Sequence, residues 1–130
     1  MKSLLILGAG GFGRMIKETA LALGYEEVLF LDDTAKDDDV IGRCCDYHLY
    51  HRDYSVAVAA FGNNKMRLFW TQKLLEEEYE VPAIVHPSAI VSPSVRLEPG
   101  CFIMQRAVVN MNTTIKMAAL INSGAVVDHD

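Results

Sequence analysis

The chain has 130 residues, 51% of them hydrophobic and 22% charged, with a formal net charge of -5, the profile of an ordinary soluble protein of one or two small units. An acidic balance without a basic cluster gives no support for nucleic-acid binding, and no apolar run reaches membrane-spanning length. The opening run Ser3 to Leu7 ends in glycines instead of continuing as a signal-peptide core, so the expected compartment is the cytoplasm. Cys44, Cys45 and Cys101 make neither a disulfide framework nor a metal-ligand spacing.

In chain order, Ser3 to Leu7 reads as a strand that runs into Gly8-Ala9-Gly10-Gly11-Phe12-Gly13, followed by a helical pattern of Ile16, Thr19, Ala20 and Leu23 that stops at Gly24. Strand, glycine loop and helix in this order let backbone N–H groups approach a phosphate, aided by the partial positive charge of the helix N-terminus. A second strand, Val28 to Leu31, closes on Asp32 and Asp33, nineteen and twenty residues after Gly13. A carboxylate there can accept hydrogen bonds from a ribose or a base edge, and two turn-forming aspartates would also fit. From Thr34 to Tyr54 the pattern weakens, Asp37-Asp38-Asp39 reads as a solvated loop, and Cys44 and Cys45 fall in a loop as well. His48 and His51 read as structural or surface residues.

Ser55 to Phe61 forms a third, fully apolar strand, after which Gly62-Asn63-Asn64 precedes a helix from about Lys65 to Tyr79 with Met66, Phe69, Trp70 and Leu74 toward the core. Gly62 and Asn63 therefore sit at the carboxyl end of a strand, where ligands bind in open parallel sheets, although an Asn cap on a plain turn has the same spelling. The first part, residues 1–82, is expected to be a Rossmann-like α/β unit with a parallel sheet of three or four strands.

Residues 83–130 carry a different period. Every sixth position from Val85 is a branched aliphatic: Val85, Val91, Leu97, Ile103, Val109, Ile115, Ile121 and Val127. Two places before each stands a mostly small residue, from Ala83 through Cys101 to Ala125, which makes Cys101 a buried filler. Six is a multiple of the strand period of two, so both columns face the same side of an extended chain. Pro87, Pro93 and Pro99 occupy a further phase suited to corners. Units this short bury nothing alone, and stacking them into a parallel β-helix is the solution.

His129 shares the corner phase of those prolines and so projects from the coil, between Asp128 and Asp130. Histidine titrates close to neutral pH, and a neighbouring carboxylate can fix its tautomer, which makes this a candidate general base. A surface corner histidine would have the same spelling.

Five segments together carry a resemblance: Gly8 to Arg14 (GAGGFGR), Phe30 to Asp33 (FLDD), Phe61 to Arg67 (FGNNKMR), Ile84 to Ala89 (IVHPSA) and Ile121 to Asp130 (INSGAVVDHD). Across its whole length the chain resembles the sugar acyltransferases of the left-handed β-helix superfamily, the sialic-acid O-acetyltransferase and UDP-4-amino-sugar N-acetyltransferase group. The resemblance implies the left hand of the helix, a homotrimer with active sites between subunits, acetyl-CoA as donor, and a UDP-sugar or sialic-acid-like acceptor held by the N-terminal unit. It further implies that Gly10, Gly11 and Phe12 line a phosphate loop, and that Asp32, Asp33, Gly62 and Asn63 serve the nucleotide or sugar. By the same resemblance Asn122 lies near the reacting centre, His129 is the base and Asp130 supports it.

Phe12 departs from the group, whose UDP-amino-sugar enzymes usually have histidine there. The group also continues for several coils past the position of Asp130, which leads to the expectation of a truncated form, or one that covers its last coil by oligomerising. Two other readings stay open at this point. One is a non-catalytic nucleotide or sugar-nucleotide binding module, including an NAD-type binder using Gly8, Gly10, Gly13 and Asp32. The other is a β-helix scaffold whose glycine loop is only a tight turn.

Overall fold

The computed structural model describes residues 2–130. Strand β1 (Ser3–Leu7) has Leu4, Leu5, Ile6 and Leu7 fully buried, because it is the inner strand of a parallel sheet covered on both faces. Helix α1 (Gly11–Ala22) follows the glycine loop and leads to β2 (Glu27–Leu31), β3 (Val40–Gly42) and β4 (Ala57–Ala59). The sheet order is β3-β2-β1-β4, all parallel, with Leu4 opposite Val28 and Ile6 opposite both Phe30 and Val58. The chain thus moves outward from β1 to β3 and returns to the other side of β1. Such a reversal of strand order leaves a crevice at the carboxyl ends of the strands beside it.

Three local expectations are corrected. The stretch from Thr34 to Tyr54, read as loop where its pattern weakens, holds regular elements: β3 pairs with β2 through a register irregularity between Phe30 and Leu31, and Cys44–Leu49 forms a 3-10 helix in which Cys44 is buried. The third apolar run contributes only the three residues of β4 to the sheet. Helix α2 (Asn64–Glu76) keeps Leu74 inside and Trp70 half-buried against Tyr47, but leaves Met66 and Phe69 45% and 50% exposed. Arg67 and Thr71 turn inward in their place. The reason lies in what this face meets: backbone carbonyls that accept from Arg67, and Gly100, whose bare Cα admits the Thr71 methyl.

The remainder is built from two-residue strands: β5 (Ile84–Val85), β6 (Ile90–Val91), β7 (Arg96–Leu97), β8 (Phe102–Ile103), β9 (Val108–Val109), β10 (Thr114–Ile115), β11 (Leu120–Ile121) and β12 (Val126–Val127). They pair in parallel as β5-β8-β11, β6-β9-β12 and β7-β10, so each strand lies beside the one 18 residues away. Three strands make a turn, and a turn has three flat faces. The aliphatic column points inside as expected, and Cys101, Ile103, Ala107, Val109 and Ile115 form a buried core with it. Val85, Val91, Leu97, Ile121 and Val127 pack against that core but remain half-buried, each with a neighbouring coil on one side only.

Corners follow a rule of their own. From Gly100 onward every sixth residue has a positive φ: Gly100, Arg106, Asn112, Ala118, Gly124 and Asp130, between +59° and +73°. Only two of these are glycines, so the stacked coil holds four ordinary residues in a conformation that L-residues seldom adopt. The outward residues of the first face, Ile84, Phe102 and Leu120, pack into the same apolar core as the sheet, and the Phe12 ring meets Phe102 edge-on at 5.1 Å between centroids.

Among the described residues, no helix is long and apolar enough to cross a membrane. One prediction concerns the start of α1, where a Cβ on Gly13 would lie 1.9 Å from the Gly8 carbonyl oxygen. Gly13→Ala is expected to lower stability by about 3 kcal/mol or more, at the upper end of overpacking effects, as read by urea denaturation.

Candidate functional site

The sheet reversal brings two loops together. Ala60 N–H donates to Leu7 O (2.7 Å) and Gly8 N–H to Leu31 O (2.9 Å), fixing the loop after β1 beside the ends of β4 and β2. Gly8, at φ +101°, could carry no side chain, since a Cβ would meet Ala60 O at 2.7 Å. Gly10 and Gly11 differ, being exposed with nothing within 4 Å of a Cβ position. Gly10 caps α1 without a side-chain hydrogen bond, and no acidic residue stands in the first turn. The turn therefore presents backbone N–H groups and the positive end of the helix dipole to an open surface, an arrangement that suits an anion.

Asp32 has a use within the chain. Its Oδ2 accepts from Ala9 N–H (2.8 Å) and its Oδ1 from the N–H groups of Thr34 (2.9 Å) and Ala35 (2.8 Å). Burial opposes its ionisation, but the amide donors of Ala35, Ala9 and Thr34 outweigh burial and hold the carboxyl below the usual carboxylate range. Asp32 thus staples the glycine loop to the β2 turn. Asp33 is more exposed and accepts from Cys44 N–H at 3.0 Å. Gly62 is exposed with open space above it, and Asn63 caps α2 by accepting from Met66 N–H at 2.9 Å.

The acidic run is not a free loop. Asp39 accepts from Arg14 (2.7 Å) and Lys17 (2.6 Å), and Asp37 accepts from Arg14 at 2.9 Å. The Arg14 guanidinium also lies over the Phe30 ring at 4.3 Å. This network ties α1 to the segment before β3 and occupies both cations of the glycine-loop helix.

The second group of predicted residues lies on the coil. His129 Nδ1 is 2.8 Å from Asp130 Oδ2, and Asp128 Oδ1 accepts from His129 N–H at 2.8 Å while lying 3.9 Å from Nε2. Nδ1 is therefore engaged, and Nε2 has no contact of hydrogen-bond length to Asp128. Asn112 Nδ2 reaches Asp130 Oδ1 at 3.5 Å, and Ser94 Oγ accepts from Asn112 N–H at 2.9 Å, so two stacked corners stand behind the pair. Asn122 is exposed at the end of β11, with its side chain accepting from Ser123 N–H at 2.9 Å. Within one chain the hydrogen bonds of His129 and Asp130 all run to coil residues, so the glycine loop and the His129 corner are two separate groups.

Two contributors carry no role in the sequence reading. Asn112 looks like an ordinary corner residue. Arg67 is the other: it lies within the FGNNKMR segment and is 3% exposed. The spacing Arg67, Thr71, Leu74 is an i, i+4, i+7 stripe and was the available signal for an inward face, but the neighbouring Met66 and Phe69 compete with it. Among the described residues, no three His, Cys, Asp or Glu side chains converge as metal ligands.

The chain thus joins a parallel α/β sheet with an open glycine loop to a coil of stacked hexapeptides that carries a His–Asp corner, and comparison with known proteins places it in a family. The chain belongs to the family of the PglD N-terminal domain, whose model matches residues 3–74. It is similar over its full length to a variant of perosamine N-acetyltransferase from Caulobacter crescentus solved with CoA and GDP-perosamine, at 30% identity and a TM-score of 0.94, covering 64% of that chain. The acetyltransferase domain of PglB from Neisseria gonorrhoeae FA1090, solved with acetyl coenzyme A, is 34% identical with a TM-score of 0.94 over 99% of this chain and 65% of that one. The chain thus spans less than two thirds of the length of either of these chains.

The acidic network allows a test. The Arg14 hydrogen bonds, reinforced by Lys17, hold the Asp39 carboxyl at about 2 in spite of burial. Its pKa is lower folded than unfolded, so the stabilisation is complete above about pH 4 and is lost as pH falls through about 2. Asp39→Asn is expected to cost about 1 kcal/mol at pH 7, discounted for the partial exposure of Arg14, with the gap to wild type closing between about pH 4 and 2 in urea titrations.

Proposed function

We propose that the chain is the acceptor-binding and base-bearing part of an acetyl-CoA-dependent acetyltransferase acting on the amine of a nucleotide-activated amino sugar. Residues 1–82 form the nucleotide-sugar unit and residues 83–130 a left-handed β-helix. The observation that carries the reading is the His129–Asp130 pair at 2.8 Å on an exposed corner, in a chain 30% identical throughout to an enzyme solved with CoA and GDP-perosamine.

In this reading the N–H groups of Gly10, Gly11 and Phe12 receive the nucleotide phosphates, and Gly62 and Asn63 border the nucleotide on the other side. Asp33 offers its exposed carboxylate to ribose or base, and Asp32 acts by holding the loop. Asn122 orients the sugar near the reacting amine. Asp130 keeps the proton of His129 on Nδ1, leaving Nε2 to take a proton from the amine as the nitrogen attacks the thioester carbonyl. The tetrahedral oxyanion is met by a backbone N–H, the C–S bond then breaks, and the thiolate departs with a proton as free CoA. Acetyl-CoA is the donor, and no acyl-enzyme forms.

The working form is a homotrimer in the cytoplasm. The second face of the coil supports self-association: Ile90 and Val126 are 68% and 67% exposed and flank Val108 in register, making an outward apolar ladder. A trimer would bring His129 of one copy toward the glycine loop of another, joining the two groups that a single chain keeps apart.

Thiol release from acetyl-CoA in the presence of UDP- or GDP-linked 4-amino sugars tests the reading. His129→Ala is expected to lower turnover about 100-fold or more with nucleotide-sugar affinity unchanged in calorimetry. Full turnover in that variant would remove His129 as the base. Binding without thiol release by the wild-type chain would favour a nucleotide-sugar binding module instead.

A further inference from the structure

Helix α2 buries a guanidinium with no carboxylate partner among the described residues. Arg67 Nε donates to Ala118 O at 2.7 Å, Nη1 to Phe61 O at 2.8 Å and, at longer range, to Gly62 O at 3.4 Å, and Nη2 to Asn64 Oδ1 at 2.7 Å. Burying an uncompensated cation is unfavourable, and an apolar side chain could fill a helix face at lower cost. What an apolar residue could not do is hold several acceptors at fixed angles, which the planar fork of arginine does.

The acceptors belong to distant parts of the chain. Phe61 and Gly62 form the loop after β4, on the open side of the sheet reversal, while Ala118 is a coil corner 51 residues away from Arg67. Ala118 is 3% exposed and has a φ of +59°, so its carbonyl is turned by a conformation unusual for alanine. Strand β11 begins two residues later, and Asn122 follows its end. One side chain therefore touches the loop that presents Gly62 and the corner that launches the strand leading to Asn122.

Given the acceptor reading of Gly62 and Asn122 above, we propose that Arg67 is a positioning residue that sets the separation between the nucleotide end and the reacting end of the acceptor site. It touches no substrate. Its effect is to lock the α/β loop and the coil corner onto one rigid group, so that a nucleotide sugar meets both at a fixed span.

The test uses Arg67→Lys, which keeps the charge and loses the fork, and Asn64→Ala, which removes an exposed partner of Nη2. Hydrogen–deuterium exchange is read over residues 61–64 and 118–122, thermal midpoints are recorded, and UDP and GDP affinities are measured by calorimetry. Both segments are expected to exchange several-fold faster in Arg67→Lys, with nucleotide affinity falling about tenfold, the loss of one charge-assisted hydrogen bond. Asn64→Ala should show the same pattern at smaller size. Unchanged exchange at residues 118–122 in a folded Arg67→Lys variant would overturn the proposal, and so would faster exchange at both segments with undiminished nucleotide affinity, which would mean a purely structural bolt. If Arg67→Lys does not fold, Asn64→Ala decides by the same two readouts. Should the wild-type chain bind neither nucleotide, the acceptor reading falls, while exchange still decides whether Arg67 couples the two segments.

Discussion

The structure depends on a register: in the coil each backbone pairs with the backbone 18 residues away. Strands of two residues have no stability of their own, so stacking is what makes them strands at all. The same register aligns the outward-facing features of the coil. It stacks the corner of His129 and Asp130 on that of Met111 and Asn112 and then on that of Pro93 and Ser94, through hydrogen bonds between successive turns. It also aligns Ile84, Phe102 and Leu120 on one outward face, which is apolar enough to receive the α/β sheet and its helices.

Where those two parts meet, apolar packing and buried polarity have different tasks. The core that runs from β1 to Phe102 and Met104 supplies non-directional attraction and would tolerate small rotations between sheet and coil. Directional contacts remove that tolerance. Phe12 meets Phe102 edge-on, Thr71 seats against Gly100, and Arg67 reaches carbonyls of both parts. The glycine loop is similarly over-determined, with Gly13 pressed on the Gly8 carbonyl and Asp32 bound to Ala9, so its open members Gly10 and Gly11 sit on a rigid base. Rigidity of this kind suits a site that must present backbone N–H groups without reorganising.

Several side chains singled out for a ligand have structural partners, and the distinction is chemical. Asp32 accepts three amide hydrogens from the chain itself, whereas Asp33 and Asn122 accept one each and, like Gly62, stay exposed. His51, read as a structural or surface residue, packs on Tyr79 and lies 3.2 Å from Glu78 O. Cys101 is a buried filler, as its place in the small-residue column required.

Features that repeat or that are local in sequence were legible without coordinates. The hexapeptide column, the strand–glycine–helix order, the Asn63 cap and the projecting His129 beside Asp130 each arise from residues within a few positions of one another, where period and stereochemistry suffice. Tertiary structure alone decided the partners of charges and the inward face of α2. Asp39 pairs with Arg14 and Lys17 over more than twenty residues, and Arg67 enters the interior where the Ala118 carbonyl, 51 residues away, joins the nearby Phe61 carbonyl in accepting from it. A buried cation contradicts every local hydrophobicity rule and becomes stable only when distant backbone acceptors are already in place. The left-handed corners at Arg106, Asn112 and Ala118 are of the same kind, since stacking imposes a φ that those residues do not prefer by themselves.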